Sequence, residues 1–136
     1  MAARKKVDVE VRALASKDVK ALIALWPRVP WLSEREAPTA RKLISQPTTV
    51  VLGAFEGDSL IGYTSAVHTV YAAFLDDVVA PDLEDTDVPV QLLEALCSEL
   101  GERDLHLYCR PESAGALRDA GFMERVGYVV MMRPWH

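Results

Sequence analysis

The sequence has few cysteines, no broad basic stretch and no long apolar run, and each shortage excludes a class of protein. Only Cys97 and Cys109 occur, outside any metal-ligand spacing, so neither a disulfide framework nor a cysteine metal site is expected. The net charge of -5 argues against binding to a nucleic-acid backbone or an anionic membrane. No apolar run is long enough to span a bilayer, and no signal-peptide pattern is found. We therefore expect a cytoplasmic protein without a metal, nucleic-acid or membrane partner.

The sequence does contain enough apolar residues for one core. Hydrophobic residues make up 50% of the 136 positions, which suits a single globular domain and leaves no room for a second. Basic residues form a run only at the start, in Arg4, Lys5 and Lys6. Because a short charged terminus is usually solvated, we expect a disordered basic tail over residues 1–6 and one domain over residues 7–136.

Hydrophobic periodicity predicts a mixture of strands and helices. Val7, Val9 and Val11 alternate with polar residues, which is the period of a half-buried strand. Two β-branched stretches, 48–55 and 60–68, flank a Glu-Gly-Asp-Ser turn and predict a hairpin. Further strands are predicted at 71–80 and 105–107, with a closing pair over 122–132 that bends at residue 127. Helices are predicted around 16–26, 38–46, 88–100 and 112–120.

The loop between the 71–80 strand and the next helix is unusually acidic. A helix N-terminus attracts phosphate through its unpaired N–H groups and its dipole, but this loop has no glycine and Pro89 removes one donor. Asp87 is a good N-cap residue, so its carboxylate is expected to take the N–H groups itself. A carboxylate about 4 Å from a phosphate costs on the order of 4 kcal/mol, more than the roughly 0.3 to 1 kcal/mol that the dipole returns. Diphosphate is therefore disfavoured in a loop that carries Asp82, Glu84, Asp85 and Asp87.

Four segments in this order resemble the GNAT acetyltransferase superfamily over nearly the whole chain. They are VRALASKDVKALIAL (11–25), VVLGAFEGDSLIGYTSA (50–66), FLDDVVAPDL (74–83) and AGF (120–122). The resemblance implies an α/β (α+β) fold, with a mixed, mostly antiparallel sheet of six to seven strands flanked by about four helices. A homodimer joined through late strands or helices is a further family-level expectation.

The resemblance also implies a site for acetyl-CoA between the fourth and fifth strands. In the diphosphate loop, however, Glu84 stands where the family has Gln or Arg, and Asp87 and Pro89 stand where it has small residues. These departures weaken the expected grip on the diphosphate. The residues matched to the cofactor site are Val78, Val79, Asp87, Val88 and Val90.

For catalysis, the resemblance points to Asp76 or Asp77 as the carboxylate that deprotonates the attacking amine. Strand alternation would place the two on opposite faces, and both could equally be solvated carboxylates of an edge or loop. The tyrosine that many family members use to protonate the leaving thiolate is replaced by Leu117. Trp26 and Trp31 lie in the connection that borders the acceptor pocket in the family, where they would form either a pocket or a packed lid.

Two functions remain open at this stage. One is an N-acetyltransferase that transfers an acyl group from acyl-CoA to a small-molecule or peptide amine. The other is a catalytically inactive protein of the same fold that binds a small molecule or a protein partner. The fold favours the first and the altered loop favours the second, so whether the protein is an enzyme stays undecided.

Overall fold

The computed structural model describes residues 4–135 and contains one five-stranded sheet. The strands lie side by side in chain order, with β1 to β4 antiparallel and β5 parallel to β4. The sheet is therefore mixed and mostly antiparallel as predicted, although the described residues form five strands instead of six or seven. The strands are β1 (Glu10–Ala13), β2 (Thr49–Glu56), β3 (Ser59–His68), β4 (Ala72–Val79) and β5 (Asp104–His106).

Helices cover both faces of this sheet. Val51 packs with α1 and α2, whereas the adjacent Leu52 packs with α3, because successive side chains of a strand point to opposite faces. The largest buried side chain on the first face is Trp26, at the end of α1. The helices are α1 (Val19–Leu25), α2 (Ala37–Ser45), α3 (Val88–Leu100) and α4 (Ala114–Asp119).

The hairpin of β2 and β3 confirms the strongest local prediction. Its turn contains Gly57 at φ +60°, a conformation that glycine adopts without steric cost. Both strands are largely buried, because one face packs on α1 and α2 and the other on α3. The hairpin is thus the centre of the sheet.

The prediction of a closing strand pair over 122–132 is wrong. In the structure this segment is irregular, and its apolar side chains face solvent, with Val126 88% and Met131 85% exposed. Alternating apolar residues form a strand only where a neighbouring strand takes up the backbone hydrogen bonds. The preceding helix is also shorter than predicted, since a 3-10 turn over Pro111–Ser113 precedes α4. Within residues 4–135, the structure contains no helix with the length and hydrophobicity to cross a membrane.

Candidate active site

A β-bulge in β4 lies where the sequence predicted the catalytic carboxylates. Asp77 pairs with Ser65 of β3 and Leu75 pairs with Ala66, so Asp76 is the extra residue between them. The bulge interrupts the alternation that would have put Asp76 and Asp77 on opposite faces. Asp77 is only 7% exposed, whereas Asp76 lies at the surface. The two adjacent carboxylates therefore have different environments.

Asp77 is held in place by side chains from other elements. Arg35 donates to both of its carboxylate oxygens, from Nη1 at 2.7 Å and from Nη2 at 3.3 Å. The Tyr63 hydroxyl donates to Asp77 Oδ2 at 2.7 Å, and the Trp26 indole N–H donates to the Tyr63 oxygen at 2.9 Å. A buried hydrogen-bond network therefore ties the α1–α2 connection to β3 and β4. Asp77 is not one of the solvated carboxylates that the sequence left open.

Burial and the charge of Asp77 change the pKa of two neighbouring side chains, Tyr63 and Asp76. Burial, and then the charge of Asp77, raises the pKa of the Tyr63 phenol, so Tyr63 acts as a hydrogen-bond donor at neutral pH. Partial burial, and then the charge of Asp77, raises the pKa of Asp76, while Arg35 opposes this shift. An accessible carboxylate with a raised pKa suits a general base. Asp77 is buried and its oxygens already accept hydrogen bonds from Arg35 and Tyr63, so a substrate amine has less access to it than to Asp76.

Sequence reasoning missed Arg35 and Tyr63. Arg35 is 42 positions from Asp77 in the chain, and no local spacing connects them. Tyr63 lies in a β-branched strand pattern, where an aromatic residue is typical of a core. The sequence offered only a weak signal, an arginine in the α1–α2 connection and two adjacent aspartates in a strand that is otherwise apolar.

The two tryptophans predicted for the substrate pocket have different positions. Trp26 is completely buried in the core and bonded to Tyr63, which agrees with the packed alternative. Trp31 is 76% exposed in the same connection. Its role in an acceptor pocket stays a prediction.

The residues predicted for acetyl-CoA lie at the end of β4 and the start of α3. Pairing of β4 with β5 stops at Phe74, where β5 ends at His106, so the rest of β4 has no β5 partner. A gap between these strands is what the family resemblance implied. Val79 and Val88 are buried, whereas Val78 and Val90 are half-buried.

The chain's own N-terminal segment occupies the start of α3. We call residues 4–7 the strap. The Asp87 N–H donates to the Lys5 carbonyl at 2.9 Å, and Asp87 Oδ1 accepts from the Val7 N–H at 2.9 Å. Residues 4–6 were expected in a disordered tail, but Arg4 and Lys5 instead contact the β4–α3 loop, and residues 1–3 lie outside the described residues.

The prediction that the Asp87 carboxylate caps α3 is wrong. Asp87 is the N-cap residue, but its side chain makes no capping hydrogen bond because it accepts the N–H of the strap. The Val88 N–H instead donates to Thr86 Oγ1 at 3.2 Å. The first N–H group of α3, that of Val88, therefore has a different partner from the one that the sequence suggested.

An open groove of about 800 Å³ lies away from these carboxylates. It is bounded by β5, α4 and the first residues of the C-terminal segment, and neither Asp76 nor Asp77 lines it. Among residues 4–135, no group of three or more His, Cys, Asp or Glu side chains could hold a metal ion. The side chains that line this groove include Leu105, Tyr108, Leu117, Phe122 and Met123.

No protein-family model and no curated protein sequence matches this chain. Solved structures do match it along nearly its whole length. AAC(6′)-Iy in complex with the bisubstrate analogue CoA-S-monomethyl-acetylneamine has a TM-score of 0.76 at 16% identity, covering 94% of this chain and 99% of that chain. A ribosomal-protein-alanine N-acetyltransferase from Brucella melitensis biovar Abortus 2308 has a TM-score of 0.75 at 17% identity, with coverages of 93% and 99%.

Glucosamine-6-phosphate N-acetyltransferase from Arabidopsis thaliana is similar to the same extent. Its TM-score is 0.73 at 15% identity, and the match covers 96% of this chain and 100% of that chain. Sequence identity this low establishes the fold alone. The chain therefore has the fold of the GNAT acetyltransferases, which confirms the resemblance that its sequence segments indicated.

Proposed function

We propose that this protein is an N-acyltransferase that transfers an acetyl or related acyl group from an acyl-CoA thioester to a small-molecule or peptide amine. The observation that carries the proposal is the bulge in β4, which exposes Asp76 beside the buried Asp77–Arg35 pair. The shared fold supports the same class of reaction, since the similar structures include acetyltransferases and one complex with a CoA bisubstrate analogue.

The carboxylates have distinct roles in this proposal. The amine nitrogen attacks the thioester carbonyl, the C–S bond breaks and CoA leaves as its thiolate. Asp76 accepts the proton that the amine loses, directly or through a water. Asp77 is held in place by the hydrogen bonds that Arg35 and Tyr63 donate to it, and partial burial, followed by the charge of Asp77, raises the pKa of Asp76. Leu117 cannot protonate a leaving thiolate, so the described late helix offers no acid at the family's tyrosine position.

Thiol release from acetyl-CoA with a broad panel of amines tests the proposal. We expect Asp76→Asn to lower kcat by about a hundredfold or more, because the general base is lost while the side-chain shape is kept. Asp58→Asn, which changes an exposed carboxylate in the β2–β3 turn, is the matched control and should leave the rate unchanged. No thiol release with any amine, or full activity of Asp76→Asn, would contradict the proposal.

A second candidate is a protein of this fold that binds a small molecule or a protein partner without catalysing acyl transfer. The specific observation in its favour is the start of α3, which in this structure offers a diphosphate few free N–H donors. The Asp87 and Val88 N–H groups are already bonded, and Pro89 has none. Nearby carboxylates add repulsion.

Calorimetric titration with acetyl-CoA separates the two candidates. If the protein binds a ligand or partner without catalysing acyl transfer, we expect weak or undetectable affinity for acetyl-CoA and no thiol release with any amine of the panel. Thiol release with any amine would exclude it. Micromolar affinity that disappears when the β4–α3 loop is altered would remove the observation in its favour, because that result requires the diphosphate to be held there.

A further inference from the structure

The strap is attached to the start of α3 by contacts from both its backbone and its side chains. Lys5 forms a parallel β-bridge with Thr86, and Gln91 Nε2 donates to the Val7 carbonyl at 2.9 Å. The Val7 side chain packs against a buried cluster that includes Val88. These contacts join positions about eighty residues apart in the chain, so they are tertiary contacts of the folded protein.

Arg4 extends the strap over the acidic loop. Its Nη1 donates to the Glu84 carbonyl at 3.5 Å, and its Nη2 lies 3.9 Å from Asp119 Oδ2 at the end of α4. The strap therefore reaches from the β4–α3 loop to α4. The contact of Arg4 with the loop is to the backbone, and its ion pair is with Asp119, outside the loop.

We propose that residues 4–7 form an autoinhibitory strap, which closes the β4–α3 loop against a diphosphate-bearing ligand and must detach before such a ligand can reach the start of α3. The strap takes the Asp87 N–H through the Lys5 carbonyl and holds the Asp87 carboxylate through the Val7 N–H. Both groups belong to the loop that the sequence matched to the cofactor's diphosphate. This inference deepens the proposed function, because it concerns access of the acyl donor to the same protein.

Hydrogen exchange of the ligand-free protein tests whether the strap holds the loop. We expect deletion of residues 1–6 to speed exchange of the amides over 84–90 by about tenfold or more, since the hydrogen bond from the Asp87 N–H to the Lys5 carbonyl and the Lys5–Thr86 bridge are lost. Exchange in the β2–β3 hairpin should not change. Deletion of residues 1–3 is the matched control, because every strap contact described above remains. Equal protection of the loop in the two shortened chains would overturn the proposal.

Binding of CoA, measured by calorimetry, tests the inhibitory role. The chain without residues 1–6 should bind CoA about tenfold or more tightly than the chain without residues 1–3. Faster exchange with no gain in CoA affinity would show a structural strap only, and would overturn inhibition. Because exchange needs no turnover, failure to acetylate any amine would count against the proposed function and not against the strap.

Point substitutions keep the test valid if the longer deletion does not fold. Asp87→Ala removes the acceptor of the Val7 N–H, whereas Asp85→Ala removes an equal charge from an exposed carboxylate of the same loop. Only Asp87→Ala should accelerate exchange of the strap amides and raise CoA affinity. If both substitutions raise CoA affinity equally, charge alone explains the effect and the strap proposal fails.

Discussion

Replacing Asp77 with asparagine should destabilise the fold by about 3 kcal/mol. The Asp77 side chain is 6% exposed, and Arg35 and Tyr63 both donate to its oxygens. Asparagine keeps the shape but removes the charge and turns one acceptor into a donor that faces other donors. Breaking one partner of a buried ion pair typically costs about 3 to 5 kcal/mol. We expect the lower end, because Arg35 is 33% exposed and keeps contact with water.

Urea unfolding measures the change in the free energy of unfolding, provided that its dependence on urea concentration is the same in the native protein and the variant. Asp82→Asn is the matched control, since Asp82 also pairs with an arginine, Arg28, at 3.0 Å, but the two side chains are 89% and 50% exposed. An exposed pair contributes less than about 1 kcal/mol. The φ of +63° at Asp82 suits asparagine as well as aspartate, so the backbone adds no cost. If Asp77→Asn lowers the free energy of unfolding no more than Asp82→Asn does, the buried network does not stabilise the fold.

Three further predictions concern acid stability, packing and assembly. The hydrogen bond from Arg12 lowers the pKa of Asp18 in the folded protein, so Asp18 stabilises the fold above about pH 4 and this stabilisation is lost as the pH falls through the folded-state pKa. The difference in unfolding free energy between the native protein and Asp18→Asn should therefore shrink in acid. A constant difference in urea unfolding would contradict this. Gly62→Ala would put a Cβ 2.7 Å from the Val79 carbonyl oxygen and should cost about 1 to 3 kcal/mol, whereas Gly115→Ala, with no atom within 4 Å, should cost nothing in the same thermal unfolding assay. Light scattering should show a dimer that Met131→Asp converts to a monomer. The exposed apolar C-terminal segment supplies much of the roughly 800 Å² per partner that a stable interface needs. A monomeric native protein would contradict this expectation.

The elements that could be predicted from sequence are those whose cause is local. Alternation along β2 and β3 and the turn between them lie within about twenty residues, so the hairpin follows from the sequence alone. The Leu92, Leu93, Leu96 and Leu100 stripe likewise predicts the buried face of α3, because helical spacing puts these residues on one side. The order of such elements was enough to indicate the fold.

The features that could not be predicted depend on distant partners. Asp87 looks like a helix cap in its own loop, yet its carboxylate bonds to Val7, 80 positions away. The 122–132 stretch alternates like a strand, but β structure needs a neighbouring edge as well as a pattern. Asp76 could be identified as a candidate base, whereas the bulge that exposes it appears only when β3 and β4 are paired.

The chain also carries its own optical sensor of the buried hydrogen-bond network around Asp77. Of its three tryptophans, Trp31 and Trp135 are 76% and 98% exposed, whereas Trp26 is fully buried and donates its indole N–H to Tyr63. With Trp31 and Trp135 changed to phenylalanine, fluorescence would come from one indole in an apolar setting. Solvent reaching Trp26 would shift that emission to longer wavelength, so undocking of the α1–α2 connection from the sheet could be timed without any added dye.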